Sequence, residues 1–255
     1  MSYAQVNGVS LHFDWRDGAG VPLVLLHEMG GALESWDLVL RHLPGRAVLR
    51  LDLRGFGRSE KPSGAVALSD HTGDVTGLIK LLGLGPVHLA GCAVGGGVAI
   101  ATAAAMGPQV AALTAFAPAT GVPPERRAGV LNLAQMLEEG GLRAFLMKDT
   151  LPKAWPEPRF AQRGEGFEIF CGTQLGTSPA SLAATYRMLA QMDLGPALSG
   201  LTCPARFVAG TQDVARTPAL VKAVAERVRG ARFCEIDSGH FMALQTPKLV
   251  ADLLA

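Results

Sequence analysis

The sequence predicts an α/β protein, a mostly parallel sheet flanked by helices and interrupted by a helical insertion. Three observations predict it. Short apolar runs alternate with segments of helical period as far as Pro118, and the alternation resumes at Ala205. Between the run Val87 to Ala90 and an alanine-rich helical stretch, four glycines crowd into Gly91 to Gly97 around Cys92, Ala93 and Val94. That pattern reads as strand, very tight turn, helix. From Ala119 to about Leu201 the rhythm lapses into helical pieces separated by Pro-rich and Gly-rich links.

In chain order, Tyr3 to Val6 and Val9 to Trp15 alternate apolar and polar residues around Asn7-Gly8, a strong hairpin signal suited to an antiparallel sheet edge. Pro22 to Leu26 is a continuous apolar run, expected of a strand buried on both faces, and it ends in His27-Glu28-Met29-Gly30-Gly31. Ser35 is placed to cap a short helix carrying Trp36, Leu38, Val39 and Leu43. The strand Ala47 to Leu51 runs into Asp52 to Ser59, a tight loop in which Asp52 and Arg54 are expected to supply internal pairing. Leu68 to Leu82 has helical periodicity, and Gly83 and Gly85 end it. Val110 to Ala117 is the strand after the glycine-rich unit. Helices are expected over Ala128 to Leu137, Leu142 to Met147 and Ser181 to Met192. The sheet resumes at Ala205 to Ala209, a helix spans Pro218 to Arg229, Ala231 to Ile236 is the last strand, and Thr246-Pro247 opens the closing helix.

These elements divide the chain into a core, residues 1–118 and 202–255, and a helical insertion, residues 119–201, expected to lie over the strand ends as a lid. Its apolar inventory is Met136, Phe145, Trp155, Phe160, Phe167, Phe170, Tyr186 and Met188. The chain has 255 residues, 18% of them charged, with a formal charge of +1, so nothing in its charge argues for nucleic acid or an anionic membrane as partner. The expected partner is a small molecule, bound by a monomer or homodimer. The N-terminus lacks the basic and apolar regions of a signal peptide, and Cys92, Cys171, Cys203 and Cys234 have neither metal-ligand spacing nor framework density. A cytoplasmic protein with reduced thiols is the expectation. No dinucleotide motif or metal cluster is evident, so neither cofactor nor metal is implied.

Three strand ends carry the candidate chemistry. Gly91-Cys92-Ala93-Val94-Gly95 has the spacing of the G-x-S-x-G nucleophile elbow, with Ala93 at its centre. Asp213 follows a later strand and His240 the last one. Asp213 would hold His240 in one tautomer, His240 would deprotonate an oxygen nucleophile at position 93, and the backbone N–H groups of Met29 and Val94 would receive the developing oxyanion. An alanine methyl attacks nothing, and Cys92, one position early, is expected to point into the core.

The chain resembles the α/β-hydrolase superfamily over essentially its whole length, and most resembles the 3-oxoadipate enol-lactonase-like small esterases. Members carry H-G-x-G-G, here His27 to Gly31; D-x-R-G-x-G-x-S, here Asp52 to Ser59; G-x-S-x-G-G, here Gly91 to Gly96; G-x-x-D, here Gly210 to Asp213; and G-H, here Gly239-His240. The resemblance implies the α/β-hydrolase fold, an eight-stranded, mostly parallel sheet flanked by helices, with a helical cap. It also implies hydrolysis of a carboxylic ester or lactone by nucleophile-His-Asp acyl transfer, with C–C bond and amide hydrolysis using the same machinery. Two departures stand out. Glu28 replaces a glycine, where it would be structural, orient a water or disfavour anionic substrates, although Arg126, Arg127 and Arg143 in the lid keep a carboxylate-bearing substrate open. Ala93 replaces the nucleophile. Either a serine has been changed to alanine in an otherwise intact enzyme, or the protein naturally lacks the nucleophile and uses His240 as a base or only binds. The pocket is expected to include Glu28, Met136, Phe145, Trp155, Tyr186 and Phe241.

Overall fold

A computed structural model describes residues 2–155 and 163–255. Eight strands form one sheet: β1 Ser2–Val6, β2 Val9–Arg16, β3 Ala19–Leu26, β4 Arg46–Leu51, β5 Val87–Cys92, β6 Val110–Phe116, β7 Ala205–Gly210 and β8 Arg232–Ile236. Their spatial order is β1, β2, β4, β3, β5, β6, β7, β8. The hairpin β1–β2 and the β2–β4 pair are antiparallel, and every pair from β4 onward is parallel. Asn7 and Gly8 both take positive φ, 51° and 79°, as a two-residue turn matched to strand twist requires. Leu23 to Leu26 in β3 are fully buried, the result of covering both faces of the sheet with helices.

The helices are α1 Asp37–Leu40, α2 Leu68–Leu81, α3 Val94–Met106, α4 Pro124–Gly140, α5 Leu142–Phe145, α6 Leu151–Ala154, α7 Glu165–Gly176, α8 Pro179–Gln191, α9 Gly195–Ser199, α10 Pro218–Ala225, α11 Met242–Gln245 and α12 Pro247–Leu254. Helices α4 to α9 lie between β6 and β7, and that segment contributes no strand among the described residues. Phe160 falls outside the described residues. On one face of the sheet Val24, Leu26, Leu49 and Leu89 pack with α2, α3 and α10; on the other, Leu23, Leu25 and Ala90 pack with Trp36, α11 and α12. Among the described residues no helix is long and apolar enough to cross a membrane.

The loop after β4 is tied down, but its two charges pair outside it, with β2 and α2, and not internally as expected. Asp52 accepts from the N–H groups of Leu33 and Arg58, both at 2.7 Å, and pairs with His12 Nδ1 at 2.7 Å, while Arg54 holds Asp74 with two hydrogen bonds of 2.6 and 2.5 Å. Ser35 corrects an expectation. It is not the N-cap ahead of a helix but the third residue of the short 3-10 turn Leu33–Trp36, where its Oγ accepts from the Ala32 N–H at 3.5 Å while its hydroxyl donates to Glu28 Oε1 at 2.8 Å. A buried carboxyl left without a donor is costly, and the Ser35 hydroxyl supplies one to Glu28.

Two other histidines, His71 buried and His88 half-buried, predict an acid limit on stability. His71 on α2 has neither ring nitrogen paired among the described residues, and burial first, then the nearby Arg54 charge, lowers its pKa to about 3. His88, which contacts Thr114 Oγ1 at 2.9 Å, is lowered to about 4 by burial and by Arg46 and Arg206. In the unfolded chain both take protons near the ordinary value of about 6.5. The unfolded state therefore binds more protons below that pH, and the stability present above it is lost as pH falls, by roughly 3 kcal/mol for each histidine at pH 4. Urea midpoints at pH 7 and pH 4.5 should show this loss, and the variant His71→Leu should have a shallower acid slope without losing stability at pH 7.

Candidate active site

Gly91 and Gly95 permit the turn that joins β5 to α3. A Cβ on Gly91 would lie 2.3 Å from the Gly95 carbonyl oxygen, and one on Gly95 would lie 2.4 Å from those of Leu26 and His27. Backbone occupies both spaces, so neither position takes a side chain. Ala93, between them, has φ 49° and ψ −113°, a conformation L-residues rarely adopt and one that costs on the order of 1–3 kcal/mol. Its N–H donates to the Phe116 carbonyl at 2.9 Å, and its own carbonyl accepts from Gly97 and Ala119, which hold it there. Cys92 instead turns into the core with Phe116 and Ala243, and burial pushes its thiol pKa well up, with Glu28 adding to the effect. It does not line the cavity described next.

A cavity of about 260 Å³ lies between the carboxyl ends of β3, β5, β6, β7 and β8 and the helices α4 to α8. That volume suits a small ligand. Glu28, Met29, Ala93 and Val94 form one side, with Ala215, Arg216, His240 and Phe241 beside them; Leu133, Gln174, Leu182 and Tyr186 reach in from the helices. His240 Nδ1 lies 2.6 Å from Asp213 Oδ2. The other carboxylate oxygen of Asp213 accepts from the N–H groups of Ala215 and Arg216, both at 2.8 Å. Burial would raise the Asp213 pKa, but the His240 hydrogen bond and charge and the two backbone donors outweigh it and hold the carboxyl below its ordinary value. Asp213 is thus an acceptor and Nδ1 carries the hydrogen, so that in the neutral ring the lone pair falls on Nε2.

The loop after β3 is held from both sides. His27 Nδ1–H donates to the Glu28 carbonyl at 2.7 Å and Nε2 accepts from the Leu53 N–H at 3.0 Å, which together fix the orientation of the ring. From α7 and its C-cap, Gln174 Nε2 donates to the Met29 carbonyl and Thr177 Oγ1 to the Gly30 carbonyl, both at 3.0 Å. Glu28 is 3% exposed and lines the cavity; burial raises its pKa, against the lowering effects of His27, its own N–H, Ser35 and His240.

Of the expected pocket residues, Glu28, Tyr186 and Phe241 line the cavity. Met136, Phe145 and Trp155 do not. Met136 is 48% exposed because α4 turns Ala134 and Leu137 inward instead. Phe145 packs behind Tyr186 at 5.8 Å between ring centroids, and Trp155 packs against Phe167 and Phe170 at 5.5 and 5.3 Å, leaving the neighbouring Ala154 to face the cavity. Arg126, Arg127 and Arg143 are exposed and lie off the cavity. Gln174 and Arg216 line it without having been singled out. Gln174 carries no sequence signal, whereas Arg216 lies only three residues after Asp213.

The profile of the Alpha/beta hydrolase family matches residues 23–253. The (E)-2-((N-methylformamido)methylene)succinate hydrolase of Acinetobacter baylyi is 25% identical, over 96% of this chain and 92% of that protein. The crystal structure of the enol-lactonase from Burkholderia xenovorans superposes with a TM-score of 0.91 at 27% identity, covering 99% of this chain and 98% of that one. A thermophilic esterase from Thermogutta terrifontis, solved with malate bound, also gives 0.91, at 26% identity over 100% and 97% of the two chains.

Proposed function

The chain belongs to the alpha/beta hydrolase family, and on that premise we propose that its site is built to hydrolyse a carboxylic ester or lactone of a small substrate, with position 93 as the place of the nucleophile. The observation that carries this reading is the 2.6 Å contact between His240 Nδ1 and Asp213 Oδ2 in the cavity that Ala93 also lines. With serine at position 93, the free Nε2 of His240 takes the hydroxyl proton while the oxygen attacks the carbonyl carbon. The N–H of Val94, a first-turn donor of α3 left over by the helix, and that of Met29 receive the oxyanion. His240 then returns the proton to the leaving oxygen, and a water deprotonated by the same nitrogen releases the acid. Residues 119–201 serve as the cap that closes the cavity and keeps other water out.

As it stands, with alanine, the chain binds such a substrate without forming an acyl-enzyme. The cavity position of Glu28 favours a second, slower reading, in which a water beside the Ala93 methyl takes the place of the hydroxyl. His240 takes its proton, the water oxygen bonds to the carbonyl carbon, the C–O bond breaks, and the leaving oxygen recovers the proton. Intact-mass spectrometry during turnover of p-nitrophenyl acetate tests the first reading. The Ala93→Ser variant should carry an acetyl group mapped to position 93, and turnover of acetate esters by neither protein would overturn both readings.

A further inference from the structure

Arg216 is a cavity charge that the proposed chemistry does not use. Its backbone N–H is anchored on Asp213, and its side chain lines the same cavity as Ala93 and His240. Nη2 donates to Thr120 Oγ1 at 3.0 Å; Nε is buried and has no partner among the described residues. Among the described residues no carboxylate lies within ion-pair distance of this guanidinium. The neighbouring charges are already engaged: Lys153 with Asp149 at 2.6 Å, Asp213 with His240, and Glu28 with the Ser35 hydroxyl. Burial lowers the Arg216 pKa and only the Asp213 charge opposes it, as expected of a cation short of a counter-ion.

A half-buried cation without a counter-ion, its Nε shut off from solvent and unpaired, is unfavourable in the empty site and becomes favourable when a ligand brings the opposite charge. The flat fork of a guanidinium matches a carboxylate with two parallel hydrogen bonds, and Nε with a terminal nitrogen is one edge of that fork. We propose that Arg216 binds a free carboxylate of the substrate, so that the substrate class is a small ester or lactone that also bears an anionic carboxyl group. The choice of scissile bond rests on the hydrolase reading above; the carboxylate site does not.

Calorimetric titration of the chain as it stands, with monomethyl glutarate and with its neutral dimethyl ester, separates the two. The monoanion should bind about tenfold more tightly or better, a preference that weakens with salt. Arg216→Gln should erase the preference and Arg216→Lys, which keeps the charge but not the fork, should retain part of it; thermal unfolding of each variant checks that it is folded. In the Ala93→Ser background the same loss should enter through KM. No binding of the monoanion, no preference for it, or a preference that survives in Arg216→Gln would overturn the carboxylate site. Selective binding without hydrolysis by Ala93→Ser would overturn the hydrolase reading alone, and equal hydrolysis of both esters would overturn the carboxylate site alone.

Discussion

Replacing Ala93 with serine should raise kcat toward p-nitrophenyl acetate and small lactones by on the order of 10³-fold or more, because loss of the nucleophile in comparable triads costs up to about 10⁶. Everything around the missing oxygen is in place. The backbone at position 93 already has φ 49°, so serine inherits a strained conformation that the Phe116, Gly97 and Ala119 hydrogen bonds maintain. Ala93 lines the cavity, so the added hydroxyl is accommodated as a cavity group and not forced into packed core. The change should leave the unfolding midpoint nearly unaltered while activity appears, and that combination separates a restored nucleophile from a general loosening of the site. Steady-state kinetics of the two proteins side by side check it. An increase smaller than about tenfold would mean that His240 Nε2 does not reach the position-93 oxygen.

The parts of this molecule legible in the sequence are those set by local backbone geometry. Asn7-Gly8 names its own turn, and Gly91 and Gly95 name the elbow, since in each case adjacent residues alone decide which φ angles or contacts are possible. Asp213 and His240 could be singled out because each follows a strand, and parallel strands bring their ends together. What the sequence conceals is set by tertiary contact. Helix α7 contains Gly166, Gly172 and Gly176, poor helix formers by propensity, yet Gly166 is there because a Cβ would lie 2.2 Å from the Leu244 carbonyl of α11. Missing α7 means missing Gln174 and Thr177, whose grip on the Met29 and Gly30 carbonyls comes from about 145 residues away in the chain. The lid residues show the same limit: Met136 and Phe145 lie in helices and Trp155 just past the end of α6, all three apolar, but which side chains meet the cavity depends on how α4 to α8 pack.

In the Ala93→Ser background, Asp213→Asn should lower kcat by about 10⁴-fold with little change in fold, by analogy with the same substitution in a characterised triad. The hydrogen bonds at this carboxylate say why. One oxygen accepts from two backbone donors, Ala215 N–H and Arg216 N–H, which cannot reverse their polarity. An asparagine must therefore present its carbonyl oxygen to them, and its NH₂ falls where Oδ2 meets His240 Nδ1. An amide hydrogen at that point requires Nδ1 to accept, so the ring proton moves to Nε2 and the base is lost at neutral pH. A variant that merely weakened the side-chain contact would slow the reaction far less. Measuring kcat from pH 6 to 9 distinguishes the cases, since a wrong tautomer depresses the whole neutral plateau, whereas a loosely held histidine keeps the plateau and shifts only its acid limb. Retention of more than about a tenth of the activity would show that Asp213 does not set the tautomer of His240, and would remove the physical basis for reading this pair as the working half of a hydrolase.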